Sequence, residues 1–227
     1  DAVPHEPGPL DPRVGPVMLV LALDTATTDL VAGIVDGDRV LAETAVATRA
    51  HNETLMPEIT RLLGEAGAEF ADLGAVVVGC GPGPFTGLRV GMSTASALGQ
   101  ALSIPVHGVC THDAVAASLS GEALVVTDAR RREVYWARYS GGKRVAGPDV
   151  CKPADLSSPA VDVVSVPSSL AELLPIDAQR VTYQPPTPAG LVSVADLDAQ
   201  PEPLVPLYLR RPDAVPPKQA PKSPALP

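Results

Sequence analysis

Basic residues are scarce: 17 Lys and Arg stand against 26 Asp and Glu, for a formal charge of -9 over 227 residues. A phosphate backbone is held by clustered cations, so direct charge-driven binding of nucleic acid is excluded. Any role on nucleic acid then needs a partner that supplies the basic surface. Cysteine is scarce too. Cys80, Cys110 and Cys151 lie far apart, with no CxxC and no histidines at ligand spacing, which excludes a zinc module or a disulfide framework and predicts reduced, mostly buried thiols in a cytoplasmic protein. No apolar run approaches the roughly 20 residues that cross a bilayer; residues 18–23 and 75–78 are strand-length, and no membrane segment is expected. Residues 1–17 carry Pro4, Pro7, Pro9, Pro12 and Pro16 and no apolar core, so they are expected to be a disordered extension and not a signal peptide. No period of roughly 20 to 50 residues recurs, which excludes a solenoid.

What is present is a large apolar share, 45% of the chain, enough for a substantial core. Residues 18–23 form a continuous apolar run closed by Asp24-Thr-Ala-Thr-Thr28, the pattern of a buried central strand that ends in a polar loop. Residues 30–35 and 39–46 read as two further strands joined at Asp36-Gly37, a hairpin dipeptide. Leu55, Met56, Ile59, Leu62, Leu63 and Ala66 then recur at steps of three and four, predicting an amphipathic helix that ends near Gly64 or Gly67. Pro57 inside it predicts a start near residues 54–56 or a kink. Residues 75–80 form a strand, residues 88–102 a helix of small residues, 106–109 a strand and 111–119 a helix. Residues 123–128 and 133–139 read as paired strands around Ala129-Arg-Arg-Arg132, in a second and smaller sheet domain. Beyond Gly141 the pattern thins, with helices expected at 168–174 and 189–197. The Pro- and Lys-rich stretch from residue 212 to 227 is expected to be disordered.

Two loops have the composition of a site. Asp24 and Thr25 at a strand end suit a carboxylate that holds a metal or water beside backbone amides facing an anion, although Asp at a strand end is more often an ordinary turn former or cap. In Gly81-Pro-Gly-Pro-Phe-Thr-Gly-Leu-Arg-Val-Gly91, Gly81 and Gly83 permit close backbone passage, and Thr86-Gly87 opens a helix whose first amides are free to meet an anion. Arg89, one turn in, has either a phosphate or a carboxylate such as Asp24 as its partner. The same residues also suit a tight strand-to-helix crossover with Arg89 in a structural ion pair, and both readings stay open. The loop lacks the lysine and spacing of GxxxxGK(S/T) and the third glycine of GxGxxG.

Leu23-Asp-Thr-Ala-Thr27, the loop Gly81 to Gly91, Thr127-Asp-Ala-Arg130 with Glu133-Val-Tyr-Trp-Ala137, and Pro206-Leu-Tyr-Leu-Arg210 occur in this order. Together they resemble the TsaB (YeaZ) family of bacterial tRNA threonylcarbamoyladenosine synthesis, strongly to Tyr139 and thinly between residues 141 and 203. The resemblance implies an actin-like ATPase (ASKHA, ribonuclease H-like) α/β fold of two lobes, residues 18–107 and a reduced second lobe at 108–211. It implies a non-catalytic subunit for modification of tRNAs that read ANN codons. That subunit pairs with the catalytic paralogue TsaD, recruits the ATPase TsaE, is a homodimer when alone, and meets tRNA only through the complex. It implies no cofactor of its own, with ATP and metal on the partner subunits. Carried onto this chain, the family's partner-binding helices hold Leu55, Met56, Ile59 and Leu63 in one and Gly91, Ala95, Leu98 and Leu102 in the other. Asp24, Thr25, Gly81, Gly83, Thr86, Gly87 and Arg89 become a vestigial phosphate loop.

The catalytic paralogue holds its metal through an HxxxH pair one helical turn apart. In the comparable stretch here His112 is followed four residues on by Ala116, so no metal is expected, and His112 reads as a cap or a hydrogen-bonded surface residue. Ser93, Ser96 and Ser118 lie in helix-like sequence with no GxSxG elbow, which leaves no catalytic residue to name for a hydrolase. His51 and Glu53 suit helix-start capping or an interface contact. Arg130 to Arg132 suit a solvated hairpin turn, or contact with tRNA or a partner's carboxylates. The alternative function is a small ATP-dependent kinase or phosphatase of the same fold, acting through Asp24 and Thr86.

Overall fold

The structure is a computed structural model that describes residues 18–48 and 50–210; the disordered segments expected at 1–17 and 212–227 lie outside the described residues. The first sheet contains β1 (Leu19–Asp24), β2 (Asp29–Asp36), β3 (Arg39–Ala47), β4 (Leu73–Gly79) and β5 (Val106–Val109), in the order β3-β2-β1-β4-β5. β1, β2 and β3 are antiparallel neighbours, while β4 runs parallel to β1 and β5 parallel to β4. The second sheet contains β6 (Glu122–Asp128), β7 (Val134–Ser140), β8 (Lys143–Cys151), β9 (Val161–Ser165) and β10 (Ala178–Thr182), in the order β10-β9-β6-β7-β8. Its three antiparallel strands are again followed by two parallel ones. Read from β8 to β10, the second sheet repeats the topology of the first.

The helices differ between the halves. One face of the first sheet carries α1 (His51–Ala66) and α2 (Phe85–Leu102). Leu55, Ile59, Leu62 and Leu63 of α1 and Leu88, Met92 and Ala95 of α2 close over Leu21, Leu23, Leu30 and Ile34. Each of these apolar sets recurs at helical steps, and the hydrophobic effect turns that stripe onto the sheet. Between β9 and β10 stands only α4 (Ser168–Ala171), so the reduction of the second lobe lies in its helices and not in its strand number.

α1 begins at His51, earlier than the proline suggested, and runs through Pro57. Pro57 and Glu53, whose carbonyl loses its helical donor, are both exposed, so water takes the place of the missing bond. Gly67, in the left-handed conformation, ends the helix, its amide donating to Gly64 O at 3.2 Å while Ala68 N donates to Leu63 O at 2.9 Å.

The lobe boundary expected after residue 107 falls inside β5, which runs to Val109, and the chain later crosses back over it. α5 (Pro188–Ser193) returns to the second face of the first sheet, where Leu191 joins Val20, Ala22, Ala75 and Val77. Gly33 of β2 makes room for it: a Cβ there would meet Pro188 Cγ at 2.5 Å. α5 packs on α3 (Thr111–Ala116), and α3 packs on β6 and β7. These two short helices are the layer between the sheets.

Candidate functional site

The last residue of β1, Asp24, and its neighbour Thr25 are 0% and 1% exposed. Asp24 Oδ2 accepts from the Thr111 hydroxyl at 2.6 Å and Oδ1 accepts from the Ala26 amide at 2.7 Å. Burial pushes its pKa up to about 6, against the pull of these two donors. The Thr111 hydroxyl also accepts from the Gly81 amide at 3.2 Å, and Thr111 N donates to Gly81 O at 2.8 Å. One threonine at the head of α3 thus joins the end of β1 to the glycine loop.

The glycines of that loop are spent on chain-to-chain contact. Gly79, Gly83 and Gly87 stand so close to Asp24, the Ala26 backbone and the Thr25 carbonyl that a Cβ at any of them would collide, and at Gly91 a Cβ would lie 2.5 Å from Thr25 Oγ1. The Thr25 hydroxyl donates to Gly87 O at 2.7 Å and accepts from Gly91 N at 2.9 Å. The two loops are therefore packed against each other at Asp24, Thr25 and Ala26, while beyond them Thr27, Thr28, Pro84, Thr86 and Gly87 line open space.

Asp24, Thr25, Gly81, Gly83 and Gly87 therefore do come together, as sequence reasoning expected, but as a packed joint. Arg89 does not join them. α2 starts at Phe85, three residues before its predicted start, and Arg89 shares the outer face with Phe85 one turn earlier. Its guanidinium lies 3.7 Å over the Phe85 ring, and its Nε donates to Tyr208 Oη at 3.3 Å. Tyr208 stacks on Phe85 with ring centroids 5.1 Å apart. Thr86 is exposed and lines a cavity of ≈620 Å³ with Thr27, Thr48, His51, Asn52 and Arg130. α1 has Ala50 as its N-cap with no side-chain bond, so His51 does not cap it.

Sequence reasoning missed the linking role of Thr111 and the work of the segment 204–210. Leu204 packs on the first core, Leu207 N donates to Cys80 O at 2.8 Å, and Arg210 reaches the β6–β7 turn, with Nη2 2.6 Å from Glu133 Oε2 and Nη1 3.2 Å from Ala129 O. The signal was present in Pro206-Leu-Tyr-Leu-Arg210, whose aromatic and cation sit in an otherwise apolar run. Arg130, Arg131 and Arg132 all have positive φ, and Arg130 pairs with Asp128 at 3.3 Å beside a further cleft of ≈140 Å³ between the lobes. Tyr183 lines the same cleft and donates to Asp29 across it.

His112 corrects its expectation as a surface residue. It is 0% exposed, Nε2 lies 2.9 Å from Thr127 Oγ1, and burial lowers its pKa to about 3. A buried imidazole with one hydrogen bond is held neutral. Among the described residues no group of three or more His, Cys, Asp or Glu is placed to hold a metal, and no helix is long and apolar enough to cross a membrane. The three cysteines are free, Cys80 buried and Cys110 and Cys151 half-buried.

The helix residues assigned to partner binding divide. Leu55, Ile59, Leu63 and Ala95 are at most 3% exposed, and Gly91 is buried against Thr25. They form this chain's own core and are not free to meet a partner in this fold. Leu98 and Leu102 are half-buried at the edge of that core, and Met56 alone of the set is exposed. The outward faces of the same helices include Met56, Thr60 and Arg61 on α1 and Ser93, Ala97 and Ala101 on α2.

Comparison with known proteins follows this geometry. The family described as TsaD, tRNA N6-adenosine threonylcarbamoyltransferase, matches residues 43–190. The chain is 51% identical over 210 residues to an uncharacterized protein of Mycobacterium tuberculosis, covering 88% of this chain and 95% of that protein. It is 33% identical over 127 residues to the tRNA threonylcarbamoyladenosine biosynthesis protein TsaB of Escherichia coli, covering 54% of this chain and 55% of that one. YeaZ from Pseudomonas aeruginosa superposes with a TM-score of 0.69 at 25% identity, over 78% of this chain and 90% of that structure. With its two sheets in actin-like topology, the chain belongs to the TsaD family so described, on the side of it that TsaB and YeaZ occupy.

Proposed function

We propose that the chain is a non-catalytic partner subunit of tRNA threonylcarbamoyladenosine synthesis, pairing with the catalytic paralogue TsaD and, with it, recruiting the ATPase TsaE. The observation that carries this reading is the closed joint at Asp24. Both carboxylate oxygens accept from donors of the same chain, and Gly83 and Gly87 bring the glycine loop directly against the Thr25 and Ala26 backbone. Asp24 is also 0% exposed, so an ion would reach its carboxylate only by displacing the protein packed around it. The kinase or phosphatase alternative needs that carboxylate free.

In this reading ATP and metal belong to the partner subunits. The formal charge of -9 leaves tRNA contact to the complex, and the setting is the cytoplasm. The outward faces of α1 and α2 carry the pairing, as a homodimer in isolation and with TsaD in the complex. Ser93, Ala97 and Ala101 recur at four-residue steps on α2 and let a second helix approach closely. Co-purification of the full chain with a tagged TsaD tests the proposal. A stoichiometric complex supports it; two separate peaks at micromolar concentration, with millimolar nucleotide bound by the isolated chain, would transfer support to the kinase reading.

A further inference from the structure

A cavity of ≈540 Å³ lies among the edge strand β5, the head of α3, β8 and the segment 194–207, and shares no lining residue with the interlobe clefts. Arg144 enters it from β8. Its Nη1 lies 3.4 Å from Cys110 Sγ and 3.5 Å from Asp113 Oδ1, contacts that hold the guanidinium in place. Its other nitrogens make no hydrogen bond among the described residues. His107 lines the same cavity at 7% exposure, and its buried Nε2 has no partner. From the segment after α5 come two exposed carboxylates, Asp196 and Glu202, neither in an ion pair among the described residues.

One fixed cation and two unpaired carboxylates narrow the ligand class. A simple anion such as phosphate is attracted by Arg144 but repelled by Asp113, Asp196 and Glu202; a diamine meets the reverse conflict at Arg144. A molecule that carries one charge of each sign satisfies both. Burial holds the Cys80 thiol at a pKa of about 12 and the Cys110 thiol at about 11, so neither adds a thiolate to this balance. Leu204, Val205 and Leu207 supply apolar wall.

We propose that this cavity binds a zwitterion with a free α-carboxylate and a free α-ammonium, an amino acid or a short peptide. Its carboxylate lies on the open donors of Arg144 and its ammonium on Asp196 and Glu202. The guanidinium fork matches a carboxylate, and its pairing with Asp113 leaves the second edge free for one. The volume accommodates a dipeptide as readily as an amino acid. This site is independent of the partner-subunit proposal and stands or falls without it.

Calorimetry on the full chain tests it, with the standard amino acids one at a time and alanyl-alanine as probes, each beside its N-acetylated and C-amidated form. Binding is expected for at least one free zwitterion, and blocking either terminus is expected to weaken it about tenfold or more. Arg144→Gln should remove the preference for the free carboxylate, and Glu202→Gln, at an exposed position that cannot unfold the chain, the preference for the free ammonium. No heat from any probe at millimolar concentration overturns the proposal. So does equal affinity for blocked and free forms, or tighter binding of inorganic phosphate than of any zwitterion.

Discussion

The Thr25 hydroxyl accepts a hydrogen bond from the Gly91 amide at 2.9 Å while donating to the Gly87 carbonyl at 2.7 Å. Gly87 and Gly91 are four apart in α2, the pair that one helical turn would join directly. A side chain from the end of β1 is therefore built into the hydrogen-bond ladder of α2, and the glycines admit it. Thr25→Val keeps the shape and removes the hydroxyl. It should cost about 1–3 kcal/mol, because a buried carbonyl and amide lose a partner. Gly91→Ala should also destabilise, and by less when Thr25 is already Ala, since the colliding oxygen is gone. Urea titration of the four proteins measures this coupling; strictly additive losses would contradict it.

Asp24 makes stability depend on pH in a direction opposite to most carboxylates. Its folded pKa, about 6, lies above the unfolded value near 3.8, so the folded state binds the proton more tightly. Its contribution is fully present below pH 3.8 and is lost as pH rises through 6, a loss of about 3 kcal/mol from a shift of about two units. Asp24→Asn should be more stable than the parent at pH 8 and lose that advantage toward pH 4. A parent that gains stability relative to Asp24→Asn as pH rises would refute the buried-acid account.

His112 acts with the opposite sign. Its folded pKa, about 3, lies below the unfolded value of 6.5, so its contribution is present above pH 6.5 and is lost as pH falls toward 3. His112→Gln, which keeps a donor and acceptor near Thr127, should flatten the acid limb of the stability profile. Denaturant midpoints between pH 4 and 7 read this out, and an unchanged slope would place the acid sensitivity elsewhere.

Much of the first lobe was legible because its elements are long and periodic. Leu55, Ile59, Leu62 and Leu63 gave α1, and the alternation from residue 134 to 139 gave β7. β8 was not legible: it is mostly exposed, so no apolar alternation marks it. β10 is an edge strand of mostly polar residues, Ala178-Gln-Arg-Val-Thr182, paired only to β9. At the site, the motif identified which residues meet but not which way they face. The phase of α2 decides that: Leu88, Met92, Ala95 and Gly99 point inward, which sends Phe85 and Arg89 outward to Tyr208. Most of the stripe assigned to partner binding is buried for a related reason, since the strongest apolar face of a sheet-packed helix is consumed by its own sheet.

That inward phase yields a paired test of the interface. Ala95→Trp places a large ring at a fully buried position and should destabilise the fold by several kcal/mol, roughly the upper end of overpacking costs. Ala97→Trp, on the exposed face, should leave the melting curve unchanged and weaken pairing with a second copy and with TsaD. Sedimentation and melting of the two variants separate the effects; pairing intact in Ala97→Trp would move the interface off α2.

The central claim is that the chain supports modification through a partner and without a phosphate site of its own. Reconstitution with TsaD, TsaE, tRNA, ATP and the threonylcarbamoyl donor, following modified tRNA, tests it most directly. The account predicts no modified tRNA when the chain is omitted, near-parent yield with Asp24→Asn, and a sharp loss with Ala97→Trp. Full activity without the chain, or abolition of activity by a stably folded Asp24→Asn, would contradict it.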